Sequence, residues 1–209
     1  MGAMLTRIAF ALSLGFTAVA LAQTPTPVPA APVAAATVRV VLETAEGPIV
    51  IELDREHAPI TSSNFLRYVD LKKFDGVNFY RAMKIGDGGL IQAGTRGDPK
   101  RLLRPIAHEP TTQTGLSHVD GAISMARFAP GSATGDFFII VGNDMRGLNA
   151  DPKLQGDNAG FAVFGRVVEG MELVRKILLA PTSPNAGDGV MKGQMLAPPI
   201  RVLTARRLR

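Results

Sequence analysis

The sequence predicts a mainly β protein, an antiparallel barrel or sandwich. Three observations carry that reading: about eight segments with strand character stand against two with helical character, the strands do not alternate with helices, and turn residues separate them. Val38–Leu42 and Gly47–Leu53 read as two strands around a turn at Ala45–Gly47. Ala58–Lys73 reads as a helix, with Pro59 near its start and Phe65, Leu66 and Val69 on one face. After the Asp75-Gly76 turn, Val77–Met83 resumes a two-residue period, which puts Phe79 and Arg81 on one face and Tyr80 and Ala82 on the other. A glycine-rich bend, Gly86–Gly89, precedes a short strand at Leu90–Ala93. A polar, proline-containing stretch follows from Gly94 to Val119. Ala122–Ala126, Phe137–Val141 and Phe161–Val168 are further strands; Phe137 and Phe138 alternate, so one of them must face the core. Glu169–Leu179 is helical, with Met171, Val174, Ile177 and Leu178 spaced for one apolar face, and Ile200–Leu208 alternates to the end.

The chain of 209 residues is 46% hydrophobic and 20% charged, which suits one globular domain and excludes disorder over most of its length. It has no cysteine, so disulfides, zinc–thiolate sites, iron–sulfur clusters and thiol nucleophiles are excluded. A net charge of +5 without a polybasic run gives no argument for a nucleic-acid partner. At the N-terminus, Arg7 supplies a positive region and Ile8–Ala22 is uncharged and mostly apolar. As a helix that stretch would rise only about 22 Å, short of a hydrocarbon core of about 30 Å. It ends in Ala20-Leu21-Ala22, a small-x-small pattern. Residues 1–22 are therefore expected to be a cleaved export signal, leaving no stable membrane insertion, and the protein is expected in the periplasm or outside the cell. Residues 23–36, with four prolines and no charge, read as a linker, and the folded domain is expected to span 37–209.

Conventional chemistry finds little support. Gly86-Asp87-Gly88-Gly89 fails the dinucleotide-loop spacing, because Ile91 stands where the third glycine belongs, and it leads into a strand. His57, His108 and His118 are too scattered for a zincin, and no serine sits in a G-x-S-x-G elbow. No metal and no cofactor are expected.

What remains is an ordered set of strings: Phe79-Tyr80-Arg81, then Gln92 within Leu90–Gly94, then Ser124–Arg127, Thr134–Ile139 and Phe161–Met171. Together, with Asn64-Phe65 and the Phe74–Gly76 turn before them, they resemble the cyclophilin family of peptidyl-prolyl cis–trans isomerases from about Val38 to Leu208. The resemblance implies an eight-stranded closed antiparallel β-barrel capped by two α-helices, with an active groove on its outer face. It implies Arg81 as the catalytic arginine, Gln92 as the groove glutamine and Phe138 as the floor under the substrate proline ring. Leu90 takes the apolar position two residues before that glutamine. Ala126 and Arg127 would offer backbone to the residues preceding the proline, and Phe161 replaces the usual histidine or tyrosine at the pocket wall.

The residue types suit the reaction. X–Pro isomerisation breaks no bond in the chain; its barrier of about 20 kcal/mol comes from amide resonance. A donor aimed at the prolyl nitrogen favours the twisted state, and arginine donates without deprotonating. Help given only to the twisted state raises the rate. The implied partners are proline-containing polypeptides, unfolded or newly exported, and the protein is expected to be a monomer.

Three departures stand out. The Arg81–Gln92 interval is about three residues longer than the common family pattern, with glycines where an aromatic usually helps build the pocket. Asp136 replaces the usual glutamine before the two phenylalanines, placed either to pair with Arg81 or to compete with substrate. Leu148–Gly160 is longer than in compact members. These departures support an alternative, a catalytically weakened peptide-binding module or holdase.

Overall fold

Strand β1 (Thr37–Thr44) buries Val40, Leu42 and Thr44 and leaves Arg39 and Glu43 exposed, the pattern of a sheet with one face on a core. It pairs in register with β2 (Gly47–Asp54), from Thr44↔Gly47 to Thr37↔Asp54. The Thr44 hydroxyl closes the turn, donating to the Gly47 carbonyl at 2.6 Å and accepting from the Glu46 N–H at 3.1 Å. The computed structural model describes residues 36–143 and 145–208. The expected export signal (1–22) and the expected linker (23–36), apart from Ala36, lie outside the described residues.

Helix α1 (Pro59–Asp70) starts on a proline, where the absent N–H would have had no partner within the helix. Its first free donors are met from a distance: the Glu109 carboxylate accepts from Ile60 N–H at 3.0 Å, Thr61 N–H at 2.7 Å and Thr61 Oγ1 at 2.6 Å. Glu109 is 1% exposed. The helix drives Phe65 into the core, where its ring lies 4.9, 5.2 and 5.3 Å from those of Phe74, Phe137 and Phe164. Burying such a ring contributes about 1.5–3 kcal/mol before packing terms.

The remaining elements are β3 (Asn78–Ile85), β4 (Gly88–Gly94), a single helical turn α2 (Thr111–Thr114), β5 (Ala122–Met125), β6 (Asp136–Val141), β7 (Ala162–Glu169), α3 (Met171–Leu179), a two-residue β8 (Thr182–Ser183) and β9 (Met195–Arg207). The antiparallel order is β1-β2-β7-β5-β6-β4-β3-β9, and β9 pairs back to β1, closing a barrel of eight strands with β8 added outside on β9. Helix α3 lays Val174, Ile177 and Leu178 against the barrel, as its spacing predicts. Turn α2 lies within the polar, proline-containing stretch 94–119, and β9 begins five residues before the expected Ile200.

One expectation of facing is overturned. Phe79 pairs with Ala93 and Arg81 with Gln92, so Tyr80 is an extra residue in β3, a bulge. Phe79 and Ala82 therefore both point into the core, while Tyr80 and Arg81 both point outward. Strict alternation would have sent Arg81 inward with Phe79.

Candidate active site on the outer barrel face

Alternation along β6 sends Phe137 and Ile139 into the main core and Phe138 and Ile140 to the opposite side. There a second apolar cluster forms from Leu90, Ala122, Phe138, Ile140, Met145 and Val163. Met83, Ala126, Leu148 and Phe161 pack against it, partly exposed, and make its rim. Phe138 is 3% exposed, a floor with its edges covered. The Phe161 ring stands edge-on to it at 5.5 Å, and the His118 ring stacks on it at 5.9 Å and 13°.

Arg81 stands beside this cluster. Its Nη1 donates to Gln92 Oε1 at 2.9 Å and its Nε to Gln194 Oε1 at 2.8 Å, while Nη2 faces Met83 Sδ at 3.3 Å. A thioether is a weak acceptor, so Nη2 is the donor least committed within the protein. Partial burial of the guanidinium pulls its pKa below the ordinary arginine value. Gln92 comes from β4 across the ladder at Arg81↔Gln92, and it faces Phe138 in the next ladder. The β3–β4 hairpin continues past the site to a two-residue turn at Gly86-Asp87. The glycines there are required by close approach: a Cβ on Gly89 would sit 1.9 Å from the Met83 carbonyl oxygen, and one on Gly88 2.3 Å from that of Val141. Where the sequence lacks an aromatic, Met83 from β3 supplies the apolar wall.

The structure thus brings Arg81, Gln92, Leu90, Phe138, Ala126 and Phe161 to one face. The Ala126 N–H is taken by the Asp136 carbonyl at 2.9 Å. Arg127 differs from the rest: its side chain is 3% exposed and points away from the Phe138 floor into the stretch 157–160. Nε donates to the Gly160 carbonyl at 2.7 Å, Nη1 to that of Phe128 at 2.8 Å, and Nη2 to Asp157 Oδ1 at 2.9 Å. The guanidinium also lies over the Phe161 ring at 5.1 Å. It holds the pocket wall from behind.

Asp136 does not meet Arg81. Its Oδ1 accepts the Arg96 N–H at 2.9 Å and the Tyr80 hydroxyl at 3.3 Å, with the Arg96 guanidinium over the Tyr80 ring at 4.8 Å. Burial raises the Asp136 carboxyl and, together with that carboxylate, the Tyr80 phenol. Tyr80 faces outward as alternation from the buried Phe79 requires, and its hydroxyl, not the Arg81 guanidinium, engages the carboxylate.

Two partners of the site escape sequence reasoning. Gln194 lies 113 residues from Arg81 in the chain, in a polar loop with no pattern of its own. His118 is fully buried: Nδ1 meets Asn149 Oδ1 at 2.7 Å, and that oxygen also accepts the His118 backbone N–H at 3.0 Å. Asn149 Oδ1 is therefore the acceptor, Nδ1 carries the hydrogen, and Nε2 accepts from the Ser124 hydroxyl at 2.9 Å. Burial pushes the imidazole pKa down to about 4, so the ring is neutral at neutral pH. Among the described residues, no group of three or more metal-ligating side chains is gathered.

Comparison with known proteins agrees with this architecture. A sequence model of the family described as "Cyclophilin type peptidyl-prolyl cis-trans isomerase/CLD" matches residues 39–202. A peptidyl-prolyl cis-trans isomerase of Acinetobacter baylyi is 39% identical over 154 residues, covering 72% of this chain and 77% of its own. Peptidyl-prolyl cis-trans isomerase B of Escherichia coli is 37% identical over 142 residues, covering 66% and 82%. Among solved structures, a Cryptosporidium parvum cyclophilin-type isomerase crystallised in the presence of the dipeptide Ala-Pro superposes with a TM-score of 0.63 at 20% identity, over 82% of this chain and 99% of that one. A closed eight-stranded barrel, an arginine set beside an outward phenylalanine, and a family match over most of the chain lead to one conclusion: this protein belongs to the cyclophilin-type peptidyl-prolyl cis–trans isomerases.

Proposed function

We propose that the protein isomerises X–Pro bonds in unfolded or newly exported polypeptides on the Arg81–Phe138 face, with Arg81 donating to the prolyl nitrogen. The observation that carries this reading is the state of the guanidinium. Two glutamine oxygens hold Nε and Nη1, and among the described residues Nη2 meets only the Met83 thioether sulfur. A charge fixed on two sides with one donor to spare needs no reorganisation when the prolyl nitrogen pyramidalises. The proline ring would rest on Phe138 within the rim of Met83, Ala126 and Phe161, leaving the carbonyl side of the bond to rotate. No proton is transferred and no cofactor takes part.

Exchange NMR on a short X–Pro peptide tests the assignment without a coupling protease. The wild type accelerates cis–trans exchange, and Arg81→Ala loses about a hundredfold or more. Binding by both proteins with no acceleration by either would replace the enzyme with a holdase.

Export to the periplasm or beyond rests on the pattern of residues 1–22. Sequencing of exported protein is expected to begin at Gln23, and a retained Met1 would overturn it. We propose also that it acts as a monomer; light scattering of the purified protein tests it.

A further inference from the structure

Phe128 is 94% exposed, an unusual cost for an aromatic ring, yet its backbone is fixed on both sides. Its N–H donates to Ser132 Oγ at 3.0 Å, and its carbonyl accepts from Arg127 Nη1 at 2.8 Å. Facing it, Leu154 is 55% exposed on a loop tied by Asp151 N–H to the Asn158 carbonyl at 2.9 Å and by Asn158 Nδ2 to the Leu154 carbonyl at 3.2 Å. Between them lies a cavity of about 140 Å³, whose lining includes Arg127, Phe128, Leu148, Leu154, Asp157 and Phe161. For scale, an apolar cavity of about 150 Å³ holds a benzene ring. The charges at its edge are already paired, Arg127 with Asp157, so an apolar guest strands neither.

The cavity is continuous with the isomerase face. Phe161 touches Phe138 on one side and lines the cavity on another, and Leu148 packs against the Phe138 cluster and lines the cavity as well. An extended peptide passing Ala126 reaches Phe128 two residues further on, about 7 Å along a strand. We infer that Phe128, Leu154 and this cavity form a subsite for an apolar or aromatic side chain of the substrate polypeptide, two or three residues before the proline. The inference rests on the reading of the Arg81–Phe138 face as the proline site. The backbone at Phe128 and Leu154 is already fixed by these hydrogen bonds, so binding need not pay to order it.

The test uses the peptides Ala-X-Ala-Pro-Ala and X-Ala-Ala-Pro-Ala with X either Phe or Gly, titrated by NMR. In the wild type, Phe at one of the two positions tightens Kd about five- to tenfold over Gly. The double variant Phe128→Ser/Leu154→Ser brings that ratio close to one. A wild-type ratio near one at both positions, or a ratio that survives the double variant, overturns the subsite. Exchange rates on the same peptides, with Arg81→Ala beside the wild type, judge the isomerase reading separately. Peptides that bind with the Phe preference but are not turned over would leave the subsite standing and the enzyme refuted. Absence of binding by every peptide refutes both.

Discussion

Gln194 holds Arg81 and the strand beneath it at once: its Oε1 accepts from Arg81 Nε at 2.8 Å, and its backbone carbonyl accepts from the Ala82 N–H at 2.9 Å. The Gln194 amide is fixed in turn by Nε2 donating to the Val190 carbonyl at 2.8 Å. The bulge that frees Arg81 from the core also loosens its ladder, and the loop before β9 replaces the lost restraint.

With Arg81 as the proposed donor, Gln194→Ala is expected to lower kcat about ten- to a hundredfold, because a misplaced donor costs rate before it costs affinity. KM should move by no more than about twofold. Gln194→Glu keeps the acceptor for Arg81 but sets a carboxylate oxygen against the Val190 carbonyl, so it should recover only part of the rate. Steady-state line-shape analysis over a range of peptide concentrations separates the two constants; a rise in KM alone would make Gln194 a binding residue instead.

His118 ties stability to pH. Its folded-state pKa of about 4 lies below the ordinary 6.5, so the unfolded chain takes up a proton in that interval and the folded chain does not. The stability this neutral histidine allows is complete above about pH 6.5 and declines as the pH falls toward 4, by on the order of 3 kcal/mol. Glu52 and Asp75, held low by their arginine partners, add a loss at lower pH that is common to wild type and variant. Thermal melts from pH 7.5 to 4.5 should show a shallower fall for His118→Gln than for the wild type; parallel curves would refute the assignment.

Glu109→Gln removes a buried charge from the start of α1 while keeping its shape. Charge-assisted bonds to Ile60 and Thr61 are replaced by neutral ones, one of them donor against donor. The expected loss is about 1–3 kcal/mol, or roughly 3–10 °C in Tm for a domain of this size. Activity per folded molecule should hold, because Glu109 lies outside the isomerase face. Denaturation by urea measures the first and exchange NMR the second.

Arg127→Lys tests the staple behind the pocket wall. A single ammonium cannot serve the Gly160 and Phe128 carbonyls and both Asp157 oxygens together. Hydrogen exchange at 154–160 is expected to quicken at least tenfold while the core strands are unchanged; equal protection would show the loop held by its own bonds.

The sequence disclosed the strands because most carry a two-residue period with one buried face, and it disclosed α1 and α3 through their apolar spacing. Alternation showed that one of Phe137 and Phe138 must face outward, and the family resemblance chose Phe138. Facing failed at Arg81 and Ala82, just past Tyr80, where an added residue resets the period without any composition to announce it. Gln194 and His118 could not be read, since their importance comes from contacts closed by the fold, at separations of 113 and 31 residues. Asp136, read as standing just before a strand from Phe137, is that strand's first residue, and its partner Tyr80, 56 residues away, is set by the fold.

Closure of the barrel also sets when the protein becomes competent. Strand β9 completes the ring by joining β1 to β3, and Gln194 immediately precedes it. A nascent chain that has emerged only as far as α3 already contains Arg81, Gln92 and Phe138, but it has neither a sealed ring nor the clamp on the guanidinium. The proposed site is therefore complete only with the last stretch of polypeptide, and a chain stopped after α3 carries its side chains without the ring that sets them in place.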